Sequence, residues 1–259
     1  AVDGAIVVRA RGEHPLRPAM EVCHSVEEVM QAATSRYCPV EFSGALRLAI
    51  RSGRRYAVVG LPCHISSLVK AQQRMPHLKG AFPVLLGLLC GHTPSFLATD
   101  FVLETLHVRK QEVESLRYRG DGWPGGMRVQ TSDGRHLFRS HEELWRGPLG
   151  VFFFPRYCLQ CADHLNLQAD LSFGDAWLPG TVPCEGGRSV IVARTELGKD
   201  IVRQANGSYI TVEHADRATV INSQDGFRFA ASQPSRSLVR CAAGWPTVRH
   251  YAIAAYDSW

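Results

Sequence analysis

Two unbroken apolar runs, YAVVGLP at Tyr56–Pro62 and FPVLLGLL at Phe82–Leu89, each lead straight into a helical pattern, HISSLVKAQQ and PSFLATDFVLETL. Runs this short read as strands, and the absence of polar alternation reads as burial on both faces, the habit of a parallel sheet. A β-α-β-α series follows. If its strands are parallel, the loops after them share one carboxyl edge, and open α/β sheets bind their ligands at that edge.

The rest of the chain extends this series. GAIVVRA from Gly4 reads as a strand, and SVEEVMQAA opens with Ser25 and Glu28 at capping-box spacing. GALRLAIRSG is a helix ended by Gly53, and the helix of PSFLATDFVLETL is expected to begin at Pro94. MRVQTSDGRHLFRS carries Asp133-Gly134 between two alternating segments and predicts a β-hairpin. ADLSF and SVIVART read as strands, and ELGKDIVRQAN as a helix closing near Asn206-Gly207. From about Gln224 the pattern weakens into Ser, Pro and Arg. Residues 1–223 therefore form the expected main domain, and 224–259 a loop-rich extension packed on it. At 259 residues and 45% hydrophobic the chain buries a sizeable core.

Cysteine placement supplies the chemistry. Cys63 follows the first buried strand and Cys90 ends the second, each expected immediately before a helix whose N-terminus favours thiolate. Cys158 and Cys161 form the one Cys-x-x-Cys pair, in RYCLQCADHLNLQADLSFGDAW. Together the four could ligate a [4Fe-4S] cluster, with two ligands adjacent in sequence and two delivered by the fold. Spacing alone leaves three alternatives open: half of a zinc site, a redox dithiol, or chance among eight cysteines. Cys23, Cys38, Cys184 and Cys241 have no partner at useful spacing and read as small buried hydrophobes. The expected architecture is thus α/β to α+β, a mixed sheet with a parallel β-α-β core flanked by helices and the cluster loop inserted.

Charge and hydropathy exclude other classes. Basic residues number 29 against 24 acidic, a net +5 spread along the chain, which is no nucleic-acid footprint. No apolar run approaches the roughly 18 residues of a spanning helix, so no membrane insertion is expected. Sparse, uneven cysteines read as reduced thiols and point to a cytoplasmic setting. The opening AVDGAIVV is already a strand pattern without an initiator methionine, so an N-terminal segment is expected to be missing.

Four elements carry a family resemblance, GLPCHISSL from Gly60, CGHTPS from Cys90, YRGDGWPGG from Tyr118 and the Cys158 segment, and it extends more loosely to VDGAIVV, AATSRYCPV and GGRSVIVARTELGKDIV. They resemble the coenzyme F420-reducing hydrogenase beta-subunit family. The resemblance implies FAD and a [4Fe-4S] cluster on Cys63, Cys90, Cys158 and Cys161. It implies cofactor contacts at Ser35, Arg36, Tyr37, Pro62, His64, Arg119, Gly122, Trp123, Gly174 and Asp175. Where the family tends to have Gly, Lys and Gln, this chain has Thr34, Arg36 and His64.

The expected function is an oxidoreductase that exchanges hydride with coenzyme F420, or a related conjugated substrate, at FAD and passes single electrons through the cluster. A redox partner protein is implied. A tetrapyrrole reductase of chlorophyll metabolism is the alternative on the same scaffold, and a zinc-stapled, non-redox binding module the alternative of another class. His64 is the sole candidate for a catalytic role, as proton relay or potential tuner, against the plainer reading of a hydrogen-bonded histidine at a helix start.

Overall fold

The computed structural model describes residues 1–12, 14–159, 161, 163–178 and 186–224. β1 (Gly4–Arg11) and β2 (His14–Cys23) form an antiparallel hairpin. Then come α1 (Val26–Gln31), α2 (Ser43–Ser52), β3 (Tyr56–Gly60), α3 (Pro62–Arg74), α4 (His77–Ala81), β4 (Val84–Leu88) and α5 (Phe96–Thr105). β5 (Val113–Arg117), β6 (Gly126–Thr131) and β7 (His136–Ser140) precede three short helices, α6 (His141–Trp145), α7 (Pro148–Val151) and α8 (Arg156–Leu159). β8 (Leu171–Asp175), β9 (Ser189–Ala193), α9 (Glu196–Ala205) and α10 (Arg217–Asn222) complete the described chain.

The main sheet has the order β2-β1-β3-β4-β8-β9. β1, β3, β4 and β8 run parallel to one another, with Gly60 opposite Gly87 and Leu88 opposite Phe173. The two ends of the sheet are antiparallel, through β2 and β9. This is the mixed sheet with a parallel core that the sequence predicts. Its core gathers Ile6, Tyr56, Val58, Ile65, Leu68, Phe82 and Leu85, all buried. Each such side chain contributes about 1.5–3 kcal/mol by leaving water.

A separate antiparallel sheet, β5-β6-β7, has its own core of Val102, Leu103, Tyr118, Met127, Val129, Leu144 and Leu149. Its β6–β7 hairpin is legible in the sequence; β5 is not. The capping box of α1 forms as read, with Ser25 Oγ accepting from Glu28 N and the Glu28 carboxylate accepting from Ser25 N. Gly53 ends α2 in the left-handed region at φ 69°.

One placement is corrected. α5 begins at Phe96, not at Pro94, so Cys90 sits in an extended loop rather than at a helix start. Ser95 takes the N-cap position, and its N–H donates to Phe153 O at 2.8 Å. The expected extension lies, beyond Gln224, outside the described residues, as do Cys184 and Cys241.

Candidate cofactor site

Because β3, β4 and β8 are parallel, their carboxyl ends fall side by side. Cys63 is the second residue of α3, just beyond β3; Cys90 lies two residues beyond β4, and Asp175 closes β8. The loop carrying Cys158 and Cys161 is tied to this edge by paired bonds: Cys90 N donates to His164 O at 2.9 Å, and His164 Nδ1 meets Cys90 O at 2.8 Å. Cys158 Sγ lies 3.8 Å from Thr93 O. Asn166, fully buried, donates from Nδ2 to Gly60 O at 2.8 Å and to Leu88 O at 3.2 Å, lacing the ends of β3 and β4 to the same loop.

The four cysteines are consequently close enough for every pair among them to interact electrostatically. Burial, then the neighbouring thiols, pushes Cys90 up to about 12. Cys161 rises to about 11, and Cys63 and Cys158 rise as well, all chiefly through burial. The helix start at Cys63 acts in the expected sense, since the His64 N–H lowers its pKa, but burial outweighs it. The bare thiols are therefore protonated at neutral pH, and binding a metal centre would release protons. Among the described residues no three His, Cys, Asp or Glu side chains converge as they would on a single metal ion.

Beside the cysteines stands a second cluster. The Arg119 guanidinium joins three segments: Nη1 donates to Tyr37 Oη at 3.1 Å, Nη2 lies 2.9 Å from Asp175 Oδ2, and Nε donates to Pro124 O. Burial works against the Arg119 charge, but Tyr37 and Asp175 more than offset it and raise its pKa. Aromatic rings surround this brace. Trp123 and Trp177 are 4.8 Å apart, Trp177 stacks on His141 at 5.1 Å, and Tyr37 meets Trp145 edge-on at 4.9 Å. His92, two residues after Cys90, lies 5.2 Å from Trp145 and completes a continuous aromatic wall between the two clusters.

Tyr37, Arg119, Trp123 and Asp175 are thus brought together as one group. Arg36 instead folds back on its own loop, where Nη1 donates to Thr34 O at 2.9 Å and to Thr34 Oγ1 at 2.6 Å. Thr34, where the family tends to have glycine, has φ 82°, a conformation uncommon for a β-branched residue. Ser35 is exposed on that loop, and Gly122 has φ 98° beside the cis Trp123-Pro124 bond. Gly174 leaves no room for a side chain: a Cβ there would stand 2.6 Å from Leu89 Cδ1. Pro62 is buried as the first residue of α3. His64 Nδ1 accepts from Leu61 N at 3.4 Å, the ring stacks on Phe42 at 4.7 Å, and burial lowers its pKa to about 4. That geometry is the helix-start histidine.

His141, Trp145 and Trp177 belong to the site, and the sequence did not single them out. A signal existed for the first two. Ser140 and Glu143 form a capping box, so α6 was readable, and positions i and i+4 put His141 and Trp145 on one face.

The donors fit an acceptor-rich planar ligand. Arg36 Nε, Trp123 Nε1 and Trp145 Nε1 are buried without a hydrogen-bond partner among the described residues, and a flavin ring would supply acceptors. Four cysteines brought to one sheet edge likewise supply the donor set of an iron–sulfur cluster.

Residues 53–218 match the family profile for the C-terminal part of the coenzyme F420 hydrogenase/dehydrogenase beta subunit, and residues 1–47 match the profile for its N-terminal part. The "Coenzyme F420-dependent sulfite reductase" of Methanocaldococcus jannaschii is 30% identical over 77% of this chain and 31% of its own length. One subunit of the F(420)H(2) dehydrogenase of Methanosarcina mazei is 26% identical over 72% of this chain and 50% of its own. The "Coenzyme F420 hydrogenase subunit beta" of Methanosarcina barkeri is 26% identical over 79% and 66%. The chain therefore spans between 31% and 66% of the length of these relatives. A chain from the F420-reducing [NiFe] hydrogenase complex of Methanosarcina barkeri shares the fold, with TM-score 0.66 and 20% identity over 97% of this chain and 84% of that one. From the profile match, which takes in the β3–β4 core, all four cysteines and Arg119 with Asp175, the chain belongs to the coenzyme F420 hydrogenase/dehydrogenase beta-subunit family.

Proposed function

We propose that this chain is the flavin- and cluster-bearing part of an oxidoreductase that exchanges hydride with coenzyme F420. The observation that carries the proposal is the gathering of Cys63, Cys90, Cys158 and Cys161 near one sheet edge, beside the aromatic rings around the Arg119 brace. On this reading the four cysteines ligate a [4Fe-4S] cluster, and FAD lies against the loops of residues 34–37 and 119–126. Tyr37, Arg119 and Trp123 would hold FAD there, and when bound it would supply the exchange between two-electron hydride chemistry and one-electron transfer.

The chain's own task is placement. A hydride moves only when donor and acceptor atoms stand about 3–3.5 Å apart with water held out. Trp123, 9% exposed, and the half-exposed Trp177 offer an apolar wall for that purpose. Arg119 fixes the wall by holding Pro124, Tyr37 and Asp175 at once. No side-chain acid or base is required for such a transfer, and none is assigned. A separate protein would take up the single electrons, since a two-electron donor and a one-electron cluster need an onward carrier. Free cysteines suit a reducing, cytoplasmic compartment, and no helix among the described residues is long and apolar enough to cross a membrane.

The test is anaerobic reconstitution with FAD, iron and sulfide, then titration with reduced coenzyme F420. Bleaching of bound flavin supports the proposal. A colourless protein binding zinc alone would sink it, and reduction by a chlorophyll-type substrate but not by reduced F420 would favour the tetrapyrrole alternative.

A further inference from the structure

We infer that Asp175 sets the net charge of the flavin pocket by cancelling Arg119, and thereby lowers the reduction potential of the flavin; the inference rests on the function proposed above. Arg36, Arg117 and Arg119 lie at the loops of this pocket, Arg117 packing against Gly120 and adding to the positive field at Arg36. Arg36 Nη1 donates only to neutral acceptors, the carbonyls of Ala33, Thr34 and Ser35 and the hydroxyl of Thr34. Its charge is not cancelled by them. Arg119 is different. Its side chain is 11% exposed, its partners Tyr37 and Pro124 are neutral, and Asp175 Oδ2 is the one carboxylate in contact among the described residues, at 2.9 Å.

Water screens a group this buried poorly, so whether the pair is neutral or positive matters to anything beside it. The titratable neighbour, His141, does not add charge at neutral pH. Burial and the Arg119 charge lower its pKa to about 4, against a smaller pull from Asp175. The Arg119–Asp175 pair therefore adds no net charge to the pocket, where Arg119 alone would add one cation. Reduction of a flavin by two electrons and one proton adds a negative charge, which a further cation would stabilise. Removing the Asp175 charge should make the flavin easier to reduce; removing the Arg119 charge should make it harder.

The experiment is a spectroelectrochemical titration of the FAD-reconstituted, full-length chain. Asp175→Asn should shift the flavin midpoint to more positive values and Arg119→Gln to more negative ones. The double variant should return toward wild type, because the pair's net charge is restored to zero. Arg119→Lys and Asp175→Glu, which keep charge but alter geometry, should stay near wild type. A midpoint for Asp175→Asn at or below wild type would overturn the inference. So would an Arg119→Lys shift as large as that of Arg119→Gln, since geometry rather than charge would then be acting. Loss of flavin in Asp175→Asn with retention in Asp175→Glu supports a charge requirement, while loss in both assigns the pair to loop structure and overturns it. If wild type itself takes up no FAD, the function proposed above fails before any variant is measured.

Discussion

Cys23 and Cys38 are buried, Cys38 within the core around Tyr118 and Met127, whereas Cys63 is exposed and Cys90, Cys158 and Cys161 are partly so. A thiol that only fills space belongs in the first environment; one that must meet a cluster belongs in the second. Replacing any of Cys63, Cys90, Cys158 or Cys161 by alanine should therefore remove most bound iron, measured colorimetrically after anaerobic reconstitution. Cys23→Ala should leave iron content unchanged. Full retention in Cys90→Ala would break the ligand assignment. The placement of Cys63 and Cys90 at one edge was legible because it follows from strand order: a strand end is a sequence-local feature, and a parallel sheet carries strand ends to one edge. The Arg119 brace was not legible in the same way. Arg119 to Tyr37 spans 82 positions and has no periodicity to announce it. Arg119 looked like a free positive charge, and the structure commits its guanidinium to three protein partners.

β2 and β5 show why other parts of the fold went unread. β2 holds Pro15 and Pro18, and proline argues against a central strand, but β2 lies at the sheet edge, where missing N–H donors are tolerated. β5, VESLR, is too short and too polar to stand out. β3 and β4 were plain because they are nearly all apolar, although only β3 is buried along most of its length and β4 leaves Leu88 exposed, and their join to the cysteine loop is tight. A Cβ on Gly87 would stand 2.5 Å from Asn166 Cγ. Gly87→Ala should cost about 1–3 kcal/mol by overpacking, seen as a lower denaturation midpoint, and should loosen the Asn166 bonds that hold the cysteine-bearing edge. An unchanged midpoint would show that Asn166 moves aside freely. α6 gives a pH test. His141 is its first residue, facing Arg119 and Asp175, with a folded pKa of about 4 against about 6.5 unfolded. Between those values the unfolded chain binds a proton that the folded chain does not, so stability falls as pH drops from about 6.5 toward 4 and is flat above. Melting curves of His141→Phe, which keeps a ring but cannot titrate, should lose less on acidification than wild type. Parallel curves would show that His141 is not held neutral.

The two sheets divide the labour of the protein. The six-stranded sheet delivers Cys63, Cys90 and Asp175 to one edge, while the segment containing β5, β6, β7 and α6 supplies Arg119, Trp123, His141 and Trp145. The proposed cofactors would thus be held by different parts of the chain, joined by the aromatic wall from His92 through Trp145 to Tyr37. That division makes the electron sequence testable. A deazaflavin gives up a hydride, two electrons together, and a [4Fe-4S] cluster accepts one at a time, so the donor and the cluster cannot exchange directly. Loss of a cysteine removes the one-electron acceptor without touching the Arg119 brace. In rapid mixing with reduced coenzyme F420, the wild-type protein should show flavin bleaching first and cluster reduction second. Cys158→Ala reconstituted with FAD should complete the first phase and lack the second. Cluster reduction at an undiminished rate in a preparation stripped of FAD would refute this order, because electrons would then reach the cysteines without passing the loops that Arg119 holds.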